Sequence, residues 1–172
     1  MKISTCTKLF VVSALALVAM PLPSEAAARA GFHAPKSAAE VALDKIVKTA
    51  EGDEFLLDNL LHRYPVAPKK QVDYRGMLTA GLIAVMQAEE RRLVKQDCGG
   101  KYLEGEICGM DSSPITCAQD NVAPYTYKTL DQRGGAVTIA GPSATYRMIQ
   151  ANGRWQLDGV KCDEGPAAFN FR

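Results

Sequence analysis

The residues of this chain best equipped for covalent chemistry are its cysteines. Cys98, Cys108, Cys117 and Cys162 stand in the second half, and a fifth, Cys6, stands close to the start. In an exported chain an even set of four pairs as two disulfides. Three pairings are open. Gly99, Gly100 and Gly105 lie between Cys98 and Cys108, and glycine lets so short a loop turn back at little steric cost. Cys117 opens the next segment and Cys162 closes the last strand-like one. These positions favour Cys98–Cys108 and Cys117–Cys162. A zinc site would need Cys-x-x-Cys or interleaved histidine. The intervals here hold nine, eight and forty-four residues, and no histidine is near. No metal and no cofactor are expected.

Other reactive patterns are missing. The chain has no Gly-x-Ser-x-Gly, no Ser-x-x-Lys and no His-Glu-x-x-His, so the nucleophiles and metal ligands those motifs supply are not indicated. His33 and His62 stand alone, and His62 follows Leu60 and Leu61 near a helix end, where a cation suits the dipole. What remains is a polar set near the strand-like segments: Gln119, Asp120, Tyr125, Tyr127, Tyr146 and Asp158. A pocket carboxylate beside a tyrosine hydroxyl is what proton-transfer chemistry requires. The plainer alternative is that Asp120 caps a turn, Asp158 stays solvated and the tyrosines pack.

The start of the chain reads as a secretory leader over residues 1–28. Lys2 and Lys8 precede the apolar run Leu9–Met20, Pro21 and Pro23 follow, and Ser24-Glu25-Ala26, Ala26-Ala27-Ala28 and Ala28-Arg29-Ala30 each fit a small-x-small cleavage rule. A run of about a dozen residues is shorter than the roughly 20 a membrane-spanning helix needs. An exported, periplasmic or secreted protein without membrane insertion after cleavage is therefore expected. Without Lys2, Lys8 and Glu25 the remainder carries 18 charges of each sign. No basic block offers the clustered cations that phosphate neutralisation demands, so nucleic acid is not an expected partner.

The elements that would position these groups follow a helices-then-strands order. Residues 29–36 read as an extended lead-in and residues 37–163 as one α+β domain, with residues 164–172 as a tail. Ser37 and Glu40 form a capping box for a helix carrying Val41, Ile46 and Val47. Gly52 ends it, and Asp53 can cap a second helix with Phe55, Leu56, Leu60 and Leu61. Pro65 and Pro68 stop that one. A third helix is expected from Tyr74 to Gln96, with Leu78, Leu82, Val85 and Met86 on one side and Gly81, Ala84 and Ala88 allowing close neighbours. Its charged stretch Glu89-Glu90-Arg91-Arg92 reads as a solvated face. Strands are expected at Tyr125–Leu130, Ala136–Ala140, Ala144–Ala151 and Trp155–Cys162. Asn152-Gly153 marks a hairpin turn. Gly159 permits a bulge that returns Val160 and Cys162 to the core face of Trp155 and Leu157.

Helices followed by an antiparallel meander ending in Gly153-Arg154-Trp155-Gln156-Leu157-Asp158 resemble the nuclear-transport-factor-2-like superfamily of cone folds. The matching stretch runs from Tyr146 to Val160. Asp111-Ser112-Ser113-Pro114 followed by Gln119-Asp120 is similar to a family of bacterial envelope proteins of this fold, with Ser113-Pro114 in place of a strict Asp-Pro. The resemblance implies an α+β cone, with N-terminal helices on a curved antiparallel sheet, and fold alone does not carry function. The expectation drawn is a non-catalytic domain that binds a small ligand or an envelope protein. The rivals are a cone-fold lyase or isomerase acting on a small apolar molecule, and an immunity or inhibitor protein against an exported toxin.

Overall fold

Local chemistry at Ser37 starts the first helix, α1 (Ala38–Gly52). Its hydroxyl accepts from the Glu40 amide, and the Glu40 carboxylate accepts from the Ser37 and Lys36 amides. Burial follows Ala39, Leu43, Ile46, Val47 and Ala50, whereas Val41 falls off this stripe and is exposed. The structure, a computed structural model, describes residues 30–118, 123–164 and 167–171 of the 172. The leader reading and the pair Gln119-Asp120 lie outside the described residues.

Asp53 accepts from the Phe55 amide just before α2 (Leu56–Leu61). The Asp53 carboxylate also accepts from Asn59 and from the buried Tyr74 hydroxyl, which pins the intervening loop. The third helix, α3 (Ala80–Cys98), starts six residues later than its periodicity suggests. Tyr74–Gly76 form a single 3-10 turn that Met77 closes, and Leu78 then bridges to the sheet: the Leu157 amide donates to the Met77 carbonyl and the Thr79 amide to the Leu157 carbonyl. Thr79 then caps α3 through the Leu82 amide. The bonds to Leu157 break the helical run at Leu78 and place that side chain, with no exposed surface, in the core. Leu82, Met86, Glu90 and Val94 are the buried stripe of α3. Gly81, Ala84 and Ala88 face outward, contrary to the close-packing role expected of them, and Val85 is exposed and not on the apolar side with Leu82 and Met86.

The sheet is an antiparallel meander, β1 (Lys128–Arg133), β2 (Ala136–Ala140), β3 (Ala144–Ala151), β4 (Arg154–Cys162) and β5 (Ala168–Phe169), in chain order. Two-residue turns with left-handed backbone close two hairpins, at Gly134-Gly135 and Asn152-Gly153. β1 lies three residues beyond its expected start, since the Gly134-Gly135 turn sets its register. Tyr127 instead exchanges both backbone bonds with His33, so the lead-in is tied to the sheet edge. The register of β3 and β4 shifts at Asp158, beside Gly159, and Leu157 and Val160 both reach the core. The expected tail contributes β5, whose Phe169 is buried.

The core lies between the helices and one face of the sheet, with Leu43, Leu78, Met86, Ile139, Met148 and Leu157 fully enclosed. Two disulfides reinforce it, Cys98–Cys108 and Cys117–Cys162. They close spans of 10 and 45 residues, worth about 3 and about 4 kcal/mol of unfolded-state restriction in the loop-entropy model. Such bonds persist in oxidising compartments. No helix among the described residues is long and apolar enough to cross a membrane.

Glu40 yields a pH prediction. Burial opposes its ionisation, but the Ser37 and Lys36 amides, the Thr129 hydroxyl and nearby His33 together hold its carboxyl below the usual range. A lowered folded value means stability present above about pH 4.3, the ordinary glutamate value, and lost as pH falls through the folded value. Glu40→Gln removes that linkage. Urea midpoints at pH 6 and pH 3 should differ less in the variant than in the wild type. An equal drop in both would show that Glu40 does not contribute.

Candidate functional site

Of the polar residues expected to form a site, the described ones, Tyr125, Tyr127, Tyr146 and Asp158, are packed or bonded within the fold. The Tyr127 hydroxyl donates to Asp44 at 3.3 Å, and burial, with the Asp44 charge, pushes its phenol well above the ordinary value. A carboxylate beside a tyrosine hydroxyl is the pair that a lyase or isomerase needs, yet Tyr127 has no exposed surface. Tyr146 is enclosed as well, and burial raises its phenol too. Its ring presses on Gly141, where a Cβ would stand 2.7 Å from it. Tyr125 is half-buried under the Lys48 ammonium. Asp158 accepts from the Thr79 hydroxyl at 2.9 Å and pairs with Arg147 at 3.0 Å, which fastens the start of α3 to the bulge of β4. These four residues do not converge on one opening. Leu157 is fully buried, while Trp155 is only half-buried at the margin of the core, not inside it as its place beside Leu157 suggests.

Two open clefts lie elsewhere, with volumes of about 770 and 540 Å³. Both fall within the 300–1,000 Å³ typical of ligand sites. Asp58, Arg63 and Tyr64 line both, so the end of α2 and the residues after it form a ridge between them. Neither is lined by any residue of β1–β5. Leu60, Val66, Val72 and Ile83 give the larger cleft apolar walls, with exposed His62 and Arg75 at its margin. Arg75 is taken by Asp73 through a paired contact. The smaller cleft carries five carboxylates, Glu51, Asp53, Glu54, Asp58 and Asp111, and so favours cationic groups.

One buried carboxylate holds the ridge. Glu90 is 1% exposed, a correction to the solvated face read from its charged neighbours. Arg63 Nε lies 2.6 Å from one of its oxygens, and Arg63 Nη2 donates to the other at 2.9 Å. The Tyr102 hydroxyl and the Met110 amide donate to it as well, at 2.9 and 2.8 Å. Arg63 also donates to the Met110 carbonyl. Gly109 completes the seat: its backbone is left-handed, and a Cβ there would stand 2.3 Å from Glu90 Oε1. Burial and the bond to Glu90 push the Tyr102 phenol up to about 12. Tyr102 in turn packs against Tyr64 at a tilt of 48°, with ring centroids 5.4 Å apart. A carboxylate with donors on both oxygens holds its neighbours in position.

No protein family, curated protein or solved structure matches the chain. The site therefore rests on its own geometry. Among the described residues no group of three or more His, Cys, Asp or Glu side chains is placed to hold a metal. Sequence reasoning missed Glu90, although a signal was present. Glu90 stands four residues after Met86 and four before Val94, on the spacing that α3 buries. It also missed Arg63 and Tyr64, which lie in a loop without periodicity.

Proposed function

We propose that this is an exported, periplasmic binding module, without catalysis of its own, that engages a protein partner at the Arg63–Tyr64 ridge. The observation that carries the reading is that both clefts share this ridge. Tyr64 is 53% exposed there and rests on Tyr102. Leu103 and Ile107, in the adjoining disulfide loop, are exposed too. Large apolar side chains held outward in one patch mark interaction surfaces. The engagement of Tyr127, Tyr146 and Asp158 in structural contacts supports binding over a lyase or isomerase. The kinship with cone folds belongs to the same proposal, supported by helices preceding a meander.

Affinity capture from an envelope extract tests it, with three baits. Wild type and Leu130→Asp, a change at the exposed edge strand, should retain the same protein. Tyr64→Ala/Ile107→Asp should lose it by about tenfold or more, since aromatic anchors at interfaces cost upwards of 2 kcal/mol when truncated. Equal recovery on all three baits would remove the ridge from consideration.

A further inference from the structure

We propose that the Cys98–Cys108 disulfide is a redox-sensitive strap that sets the conformation of the Arg63–Tyr64 ridge. The inference rests on the binding reading only for its consequence, not for its mechanism. The bond closes a loop whose residues 99–107 are exposed except for Tyr102. The backbone bonds of that loop run from the Gly99 and Gly100 amides to Val94, from Lys101 to Cys98 and from Glu106 to Leu103, all within or at the end of α3 and the loop itself. Its one half-buried side chain, Tyr102, donates to Glu90, and the loop leads directly into a second donor on Glu90, the Met110 amide. Tyr102 lies inside the loop, and Met110 lies two residues beyond its closing cysteine. The same Tyr102 supports Tyr64. Freeing the loop withdraws Tyr102 from a buried carboxylate and releases one end of the segment that holds the Met110 amide on it, so Arg63 and Tyr64 lose support.

The second bridge is built differently. Cys162 lies in the β3–β4 ladder opposite Ala144, and its bond to Cys117 spans 45 residues. Opening it would disturb the sheet, and its larger loop restricts the unfolded chain more strongly. Cys98 at the end of α3 and Cys117 are both half-exposed, so what separates the bridges is that opening the Cys98 one leaves the β ladder undisturbed. A dithiol reductant supplies the balance. One of its sulfurs forms a mixed disulfide with a bridge cysteine while the other cysteine leaves as thiolate. Its second sulfur then closes the reductant's own disulfide. Two electrons pass to the protein, and two protons end on Cys98 and Cys108.

Dithiothreitol titration of the full exported chain tests the strap, with alkylation mapping and amide exchange as readouts. A window is expected in which Cys98 and Cys108 are alkylated, Cys117–Cys162 is intact and β2–β4 amides stay protected. In that window the Met110 amide should exchange about tenfold faster or more, the factor that corresponds to 1.4 kcal/mol. Cys98→Ser/Cys108→Ser should reproduce the Met110 change without reductant. Both bridges opening in one step with loss of sheet protection would overturn the proposal. So would an unchanged Met110 amide in the double variant. Neither readout requires a partner, so a failure to capture one would count against the binding reading and leave the strap standing.

Discussion

Glu90→Ala should destabilise the protein by about 3–5 kcal/mol, the usual result of removing one partner from a buried ion pair. The change leaves the Arg63 guanidinium, whose side chain is 13% exposed, without its carboxylate. It also strands the Met110 amide and the Tyr102 hydroxyl. An unfolding free energy of 5–15 kcal/mol is typical of a domain, so a large share would be lost. Glu90→Gln keeps the shape and one acceptor oxygen and should lose less. Glu90→Leu combined with Arg63→Met removes both charges and should recover much of the loss, since apolar replacements of whole buried pairs are often neutral or stabilising. Urea melts with both disulfides intact give the comparison. A Glu90→Ala midpoint within error of wild type would return Glu90 to the solvated face that its neighbours suggest.

Leu157→Ala should cost about 2–5 kcal/mol, as for other fully buried leucines truncated in a packed core. Leu157 has no exposed surface, sits opposite Met148 and exchanges backbone bonds with residues 77–79. Trp155→Ala, two residues earlier on the same strand face, should cost only about 1–2 kcal/mol, because its side chain is half-buried. Arg154→Ala, exposed beside the turn, should stay within about 0.5 kcal/mol. The three melts together read how burial deepens along β4. A Trp155→Ala loss as large as that of Leu157→Ala would mean that the core extends to the hairpin tip.

Much of the fold was legible because its signals are local. A capping box at Ser37 and Glu40, a hairpin at Asn152-Gly153 and a bulge at Gly159 each act within a few residues. Their chemistry therefore survives in any context that folds at all. Boundaries were less legible. Helical propensity alone carries α3 back to Tyr74, but Met77 and Thr79 bond to Leu157 about eighty residues away, and no window of sequence contains both partners. β1 moved for a similar reason, since its register is fixed by Gly134-Gly135 and by β2.

The candidate site shows the same division more sharply. By itself the amino-acid sequence determined the four cysteines, the glycines that let Cys98 reach Cys108, the order of helices before strands and the want of any catalytic motif. Tertiary structure alone decided which polar residues would serve the fold and which would face a cleft. Tyr127 and Asp158 found partners on α1 and ahead of α3, and were enclosed or tied down by them. Glu90 went the other way. Its charged neighbours point to solvent, but Arg63, Tyr102 and Met110 arrive from three separate stretches of chain to satisfy it. Burial of a charge depends on partners that compensate its lost hydration, and those partners are assembled only when the chain has folded.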